Sequence, residues 1–315
     1  MDQPERLIRS AFLTGRSYGA TAEADLVRIL DSSAPEIPPR RRPRIALASG
    51  LVAVLVVGLI GGLLFTRTQP AHAVTPPMLQ VATSSRAPAE LLDSLADSRL
   101  AGPEPAPRIT IHGWYLNSTV DQSGELSHVA TEPQVTAVEF QQDQSLRRRT
   151  TAGTPFPGQE SEGLPKPGTY LSEDRFTASE LNDMYPLPIP TDPTSLKLWL
   201  EHVEGGSSLT AGSAIEAMTG LITARQIGAA QEAAFLRLLG SMPDVAVLGT
   251  TTDRLGRSGW IFSAASSNPS FEQRLIVSKD GILLATESIY VGSDHPLLTP
   301  PSVVSYAAWD RLAQS

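Results

Sequence analysis

The side chains that could perform chemistry are sparse in this chain and follow no catalytic pattern. The sequence contains no G-x-S-x-G, H-E-x-x-H, G-x-x-x-x-G-K or G-x-G-x-x-G motif. Cysteine is absent, and the five histidines lack metal-ligand spacing; they are His72, His112, His128, His202 and His295. We therefore predict a protein that is not an enzyme and has no cofactor and no metal site.

Two charged groups outside the N-terminal region could bind a charged ligand. Arg147–Arg149 is the one basic run after residue 45, so it could meet a phosphate or a membrane surface; alternatively it is solvated or protects the edge of a sheet. Asp253 and Arg257 flank Leu255-Gly256. They could bind a charged headgroup, but an aspartate at this position more simply indicates a turn, because its carboxylate accepts from the following amides.

A long apolar run near the N-terminus predicts a membrane anchor. The run Ile45–Phe65 has 21 residues without a charge, and as a helix it would be roughly 31 Å long, the thickness of a bilayer core. Arg40, Arg41, Arg42 and Arg44 precede it. By the positive-inside rule these arginines lie at the cytoplasmic membrane interface, where they can meet anionic lipid headgroups.

The predicted topology is therefore a single pass through the cell (plasma) membrane, with a cytoplasmic tail at residues 1–44. The tripeptide Ala71-His72-Ala73 suits a signal peptidase, but the apolar run is longer than a signal-peptide core. We therefore predict an anchor and leave cleavage open.

The net charge of the predicted cytoplasmic tail differs in sign from that of the rest of the chain. Residues 1–44 contain eight arginines and six acidic residues, a net charge of +2; because the whole chain has −8, residues 45–315 carry −10. An acidic exterior argues against nucleic acid as a partner, since phosphate binding needs a basic face. Without cysteine the exported part has no disulfides, yet it is long enough to bury a core of its own.

Residue periodicity predicts a spacer at 66–87 and an extracytoplasmic α+β domain at 88–315, with an antiparallel sheet and helices on one face; an open half-barrel is one form of this fold. Two short helices are also expected within the tail. Asp280-Gly281 between apolar runs indicates a hairpin. The main expected segments are helices at Pro88–Leu100, Pro193–Val203 and Ser213–Leu239, strands at Arg108–Val120 and within Gln134–Thr151, a loop at Thr154–Gly168, and strands from Val245 to Trp309.

Three C-terminal segments carry a family resemblance: LPIPTDPTSLKLWL, FLRLLGSMPDVAVLGTTTDRLGRSGWIF and RLIVSKDGILLATE. They resemble an uncharacterised family of actinobacterial single-pass membrane proteins, with its Leu-Pro-Thr-Asp-Pro helix start and its Asp-x-x-Gly-Arg hairpin. Here Ile189-Pro190 interrupts the first motif, and the last turn is shortened to Lys279-Asp280-Gly281. The resemblance covers about residues 187–290 and implies architecture, with no activity attached.

The order of elements is also similar to the half-barrel of bacterial lipoprotein carriers and of periplasmic regulators that sit on anti-sigma factors. In that fold an open, curved sheet binds acyl chains or lipidated peptides. The similarity concerns the fold and transfers no residue roles.

Two functional hypotheses follow. In the first, the protein sits in the lipid bilayer, and its exterior domain binds or senses an envelope lipid, lipopeptide or protein. In the alternative, it is an anti-sigma-like transmembrane regulator whose residues 1–44 bind a cytoplasmic protein. An apolar cleft on the sheet would support the first hypothesis, whereas a fully packed sheet face would count heavily against it.

Overall fold

The computed structural model describes residues 74–120, 126–161, 163–293, 295 and 297–311, with the side chains of 118–120 and 126–129 excepted. Outside these ranges lie the predicted tail, the anchor Ile45–Phe65 with its preceding arginines, and Ala71-His72-Ala73. Within them, no helix combines the length and the apolar character needed to cross a membrane.

A ten-stranded antiparallel sheet forms the frame of the described domain. Its strand order is β1-β6-β7-β8-β9-β10-β2-β3-β4-β5. The sheet is open, because β1 and β5 are its two ends and do not pair with each other. The strands are β1 Val81–Thr83, β2 Arg108–Val120, β3 Leu126–Phe140, β4 Leu146–Ala152, β5 Tyr170–Phe176, β6 Ala246–Thr252, β7 Ser258–Ala265, β8 Phe271–Val277, β9 Leu283–Tyr290 and β10 Ser302–Asp310.

Five helices accompany this sheet in the described part of the chain, which confirms the α+β class. They are α1 Pro88–Leu100, α2 Ala178–Met184, α3 Pro193–Val203, α4 Ala211–Ala224 and α5 Ala229–Gly240. The start of α3 is capped by a side chain, since the Asp192 carboxylate accepts from the Ser195 amide at 2.8 Å and proline follows directly. At the start of α2, Thr177 and Glu180 form a capping box.

The helices pack on one side of the sheet, which we call the helix face. Alternating strand residues such as Phe262, Leu275 and Ala307 join the helical side chains in one buried cluster. Their neighbours Ile261, Ile276 and Tyr306 belong to a second buried cluster on the other side, the opposite face. All eight residues of β9 are buried. Both faces of the sheet centre are therefore packed.

The predicted helix Ser213–Leu239 is interrupted in the structure. Between α4 and α5 the backbone of Arg225 is extended, and its guanidinium donates to the Tyr185 carbonyl oxygen at 2.9 Å and to Asn182 Oδ1 at 2.6 Å. Tyr185 follows α2, so a cation lies where the helix dipole favours one. α4 therefore ends where Arg225 contacts a segment distant in sequence.

A buried group of three charged side chains connects α1 and α5 with the residue that follows β10. Glu232 on α5 is fully buried and accepts from Arg99 Nε on α1 at 2.5 Å and from Arg311 Nη2. The amide of Leu283 also donates to Glu232, at 3.3 Å. Because the carboxylate compensates two buried cations, its removal would leave both without an anion.

We predict that Glu232→Gln lowers the free energy of unfolding by about 3–5 kcal/mol, the usual cost of breaking a buried ion pair. The measurement is urea-induced unfolding of the full chain in detergent. Glu160→Gln, an exposed carboxylate in the loop after β4, is the matched control and should stay within about 0.5 kcal/mol of the wild type. Equal stability of the two variants would contradict the assigned role of Glu232.

Candidate functional site

The turn between β6 and β7 is built by its own side chains. Asp253 Oδ1 accepts from the amides of Leu255 at 3.0 Å and Arg257 at 2.8 Å. Gly256 has φ of +82°, a conformation that favours glycine. The interpretation of Asp253 and Arg257 as turn residues is therefore confirmed.

Arg257 fastens this turn to the middle of the sheet. Its guanidinium donates to Asp253 Oδ2 at 2.6 Å, to the Trp309 carbonyl oxygen at 2.7 Å and to the Leu284 carbonyl oxygen at 2.9 Å. Those carbonyls belong to β10 and β9, so the turn folds over the sheet. The side chain is satisfied within the protein.

The folded turn places Arg254 on the opposite face, among side chains from three further strands. The guanidinium carbon lies 5.0 Å from the ring centre of Trp114 and 5.1 Å from that of Tyr306. Its Nη2 donates to Glu287 Oε1 at 2.7 Å, and the Tyr306 hydroxyl accepts from the Arg254 amide at 3.1 Å. We call these four residues the Arg254 cluster. It combines an ion pair with cation–π contacts on two rings.

Burial dominates the electrostatics of the Arg254 cluster. It raises the pKa of Glu287 above its ordinary value, although the nearby Arg254 charge opposes the change. Burial also raises the pKa of Tyr306, with Asp253 acting in the same direction. Glu287 Oε2 is buried and accepts no hydrogen bond from the described residues. The Arg254 cluster is thus a desolvated ion pair that stabilises the opposite face. None of its members is an exposed nucleophile.

An extended segment of the same chain lies across the cluster and the neighbouring strands. We call residues 74–83 the docking segment. Its carbonyl oxygens accept from Thr131 Oγ1 at Val74 (3.1 Å), from Arg254 Nη2 at Pro77 (2.8 Å) and from Thr251 Oγ1 at Gln80 (2.7 Å). The segment is thus bound from strand β3 to strand β6.

The docking segment also contributes apolar contacts and an edge strand. Met78, Leu79 and Val81 pack against the buried cluster of the opposite face. Residues 81–83 form β1, in which Val81 pairs with Thr251. Residues 81–83 of the predicted spacer are therefore part of the sheet, which the prediction of a spacer did not include.

Gly249 allows β1 to approach β6. Its φ is +144°, and a methyl group at this position would lie 2.0 Å from the Ala82 carbonyl oxygen. Any larger residue at 249 would therefore be strained and would collide with the docking segment.

Two of the three side chains of the basic run Arg147–Arg149 are paired with carboxylates, and the guanidinium carbon of the exposed Arg149 lies 5.9 Å from the ring centre of Tyr170. Arg147 pairs with Glu173 and Arg148 with Asp174, each at 2.9 Å. The hydrogen bonds from Arg147 and from Arg175 lower the pKa of Glu173 to about 2. The suggestion of edge protection by this run is wrong, because β4 pairs on both sides and β5 is the terminal strand.

A groove of about 550 Å³ lies beside these ion pairs. Its lining is largely polar and charged, with Arg147, Arg175, Glu139 and Asp143 among the residues and Phe176 as one apolar contribution. It does not have the apolar character that an acyl chain requires. No group of side chains in the described ranges has a metal-binding arrangement.

Comparisons with known proteins add little to this description of the site. No family model matches the chain, and no curated protein matches it. The predicted actinobacterial family therefore has no sequence-level support and stays a prediction. A similar solved structure is the complex of Pseudomonas aeruginosa MucA and MucB, with 10% sequence identity and a TM-score of 0.27 over 70% of this chain. The match covers 55% of the length of the chain in that solved structure. A TM-score this low carries no argument about fold or function.

Sequence reasoning found the turn of the Arg254 cluster and missed the other members. Trp114 on β2 lies far along the chain from Glu287 on β9 and Tyr306 on β10, and no spacing rule connects the three. One signal was present: Glu287 is the one charged residue within the apolar run from Ile282 to Val291. A lone carboxylate in a buried strand requires a partner.

We predict that Gly249→Ala displaces β1 while the rest of the domain stays folded, because the added methyl group meets the Ala82 carbonyl. The measurement is the rate of tryptic cleavage after the exposed Arg86, which follows β1 closely in the chain. We expect at least a tenfold increase.

The control for that prediction is Gly205→Ala. Gly205 has a similar left-handed conformation, with φ of +82°, but no atom lies within 4 Å of an added methyl group. This variant carries backbone strain of about 1–2 kcal/mol without the collision. An equal cleavage rate in both alanine variants would refute the role of Gly249.

Proposed function

We propose that this chain is a single-pass membrane protein whose extracytoplasmic domain binds a protein partner and performs no catalysis. The observation that carries the proposal is the docking segment. It follows the predicted anchor Ile45–Phe65 in the chain, lies across the opposite face, and supplies the edge strand β1. Binding of a partner on the opposite face can therefore alter the contacts of the docking segment, which follows the predicted anchor in the chain.

The packing favours a protein over a lipid as the ligand. Helical side chains fill the helix face, and the docking segment lies on the opposite face. An acyl chain would have to displace one of these. A protein segment, in contrast, can use backbone hydrogen bonds at a sheet edge. The terminal strand β5 pairs on one side only and carries the exposed side chains of Tyr170 and Leu171.

The anti-sigma-like alternative depends on residues 1–44, which lie outside the described residues. No described contact involves that tail, so neither a cytoplasmic partner nor lipid contact by Arg40–Arg44 gains support. We therefore base the proposed function on the exterior domain alone.

The topology can be tested with single cysteines, because the natural chain has none. Ser207 is exposed in the loop between α3 and α4, and Ser17 lies in the predicted tail. We expect a membrane-impermeant maleimide to label Ser207→Cys in intact cells and to label Ser17→Cys only after lysis. The reverse pattern, or recovery of the full chain in the soluble fraction, would contradict the proposed topology.

A further inference from the structure

We infer that the opposite face is a binding groove for an extended, proline-containing peptide from another protein, and that the docking segment occupies this groove as an intramolecular competitor. This inference rests on the proposed function for the location of the partner outside the membrane. The groove itself is defined by the donors Thr131, Thr251 and Arg254 and by the apolar residues beneath the docking segment.

The spacing of the bound carbonyls indicates the kind of peptide that fits. The three acceptors belong to Val74, Pro77 and Gln80, which are three residues apart each time. A polyproline II helix repeats every three residues and keeps its backbone groups free for external partners. Pro76 and Pro77 lie within this stretch. The groove therefore recognises one side of an extended chain with a period of three.

The groove recognises the peptide mainly through its backbone. Its three donors bind carbonyl oxygens, which every residue has. The specific side-chain contribution comes from Met78, Leu79 and Val81, which pack on the buried cluster. The segment VTPPMLQVAT has no charged residue. A partner peptide should therefore be uncharged and extended, with proline before two apolar residues, as in the established recognition of proline-rich segments.

The docking segment is held in a way that permits exchange. Its regular pairing is limited to the three residues of β1, and residues 84–87, which follow it, belong to no helix or strand. The bonds at Val74, Pro77 and Gln80 can form equally with a peptide added from outside. Because the covalent link gives the docking segment a high effective concentration, an external peptide must bind weakly until this segment is loosened.

The experiment measures binding of a fluorescein-labelled VTPPMLQVAT peptide to the full chain in detergent by fluorescence anisotropy. Met78→Asp with Leu79→Asp should loosen the docking segment and leave the groove intact, so the peptide should bind at least tenfold more tightly than to the wild type. A peptide with glycine at both proline positions is the matched ligand control and should bind at least tenfold more weakly than the original.

A second variant tests the competition by locking the docking segment in place. Ala82 and Thr250 are cross-strand partners with exposed side chains. In the cysteine-free chain, Ala82→Cys with Thr250→Cys should form one disulfide across β1 and β6. The oxidised form should bind the peptide at least tenfold more weakly than the same variant after reduction. Should the double aspartate variant fail to fold, this comparison decides alone.

Equal affinity of the oxidised and reduced forms, or a folded double aspartate variant that binds the peptide no more tightly than the wild type, would overturn the inference. Such a failure would leave the proposed topology untouched, because cysteine labelling in cells does not involve the peptide. Conversely, a soluble chain that still bound the peptide would refute the membrane topology and keep the groove.

Discussion

The guanidinium of Arg254 is the point at which the opposite face is held together. It lies between the rings of Trp114 and Tyr306, pairs with the buried carboxylate of Glu287, and donates to the Pro77 carbonyl oxygen. Removing a cation from water is costly unless its donors are used and its charge is compensated. In the Arg254 cluster, hydrogen bonds use the guanidinium donors and the Glu287 carboxylate compensates the charge. Arg254 thus links the β6–β7 turn, which Arg257 also fastens to the sheet, to the docking segment, which Thr131 and Thr251 bind as well.

A second buried ionic group works on the helix face and differs in its effect. Glu232 joins Arg99 and Arg311, so it connects the first helix with the end of the last strand. The Arg254 cluster instead connects the sheet to the docking segment. The two groups thus lie on different faces of the sheet. The Glu232 group stabilises the helix face, and the Arg254 cluster binds the docking segment, which follows the predicted anchor in the chain.

Much of the fold follows from local sequence. The helices Pro88–Leu100 and Pro193–Val203 begin with proline, and the Asp280-Gly281 turn lies between apolar runs; all three have the predicted bounds or position. The break at Arg225 could not be predicted in this way, because it depends on a contact with Tyr185. The edge strand β5 was also missed, because its many charged residues leave no apolar alternation. Its carboxylates are paired with the arginines of β4, a contact that the sequence does not show.

The candidate site was hidden for a different reason. The docking segment has no helical or strand periodicity, and its partners Thr131 and Thr251 lie 57 and 171 residues away along the chain from the carbonyls that they bind. Such contacts arise only after the sheet has formed. The residues that could be identified from sequence were those of the turn itself, since Asp253 and Gly256 act within five residues.

Hydrogen–deuterium exchange of residues 74–90 in the unmodified full chain tests the central claim most directly. If the docking segment is bound and β1 is paired with β6, the amides of Val81–Thr83 should as a group exchange much more slowly than those of Ser84–Ala87, by a factor on the order of 100. Uniformly fast exchange from residue 74 to residue 87 would contradict the account, because it would mean that the segment is not bound to the opposite face.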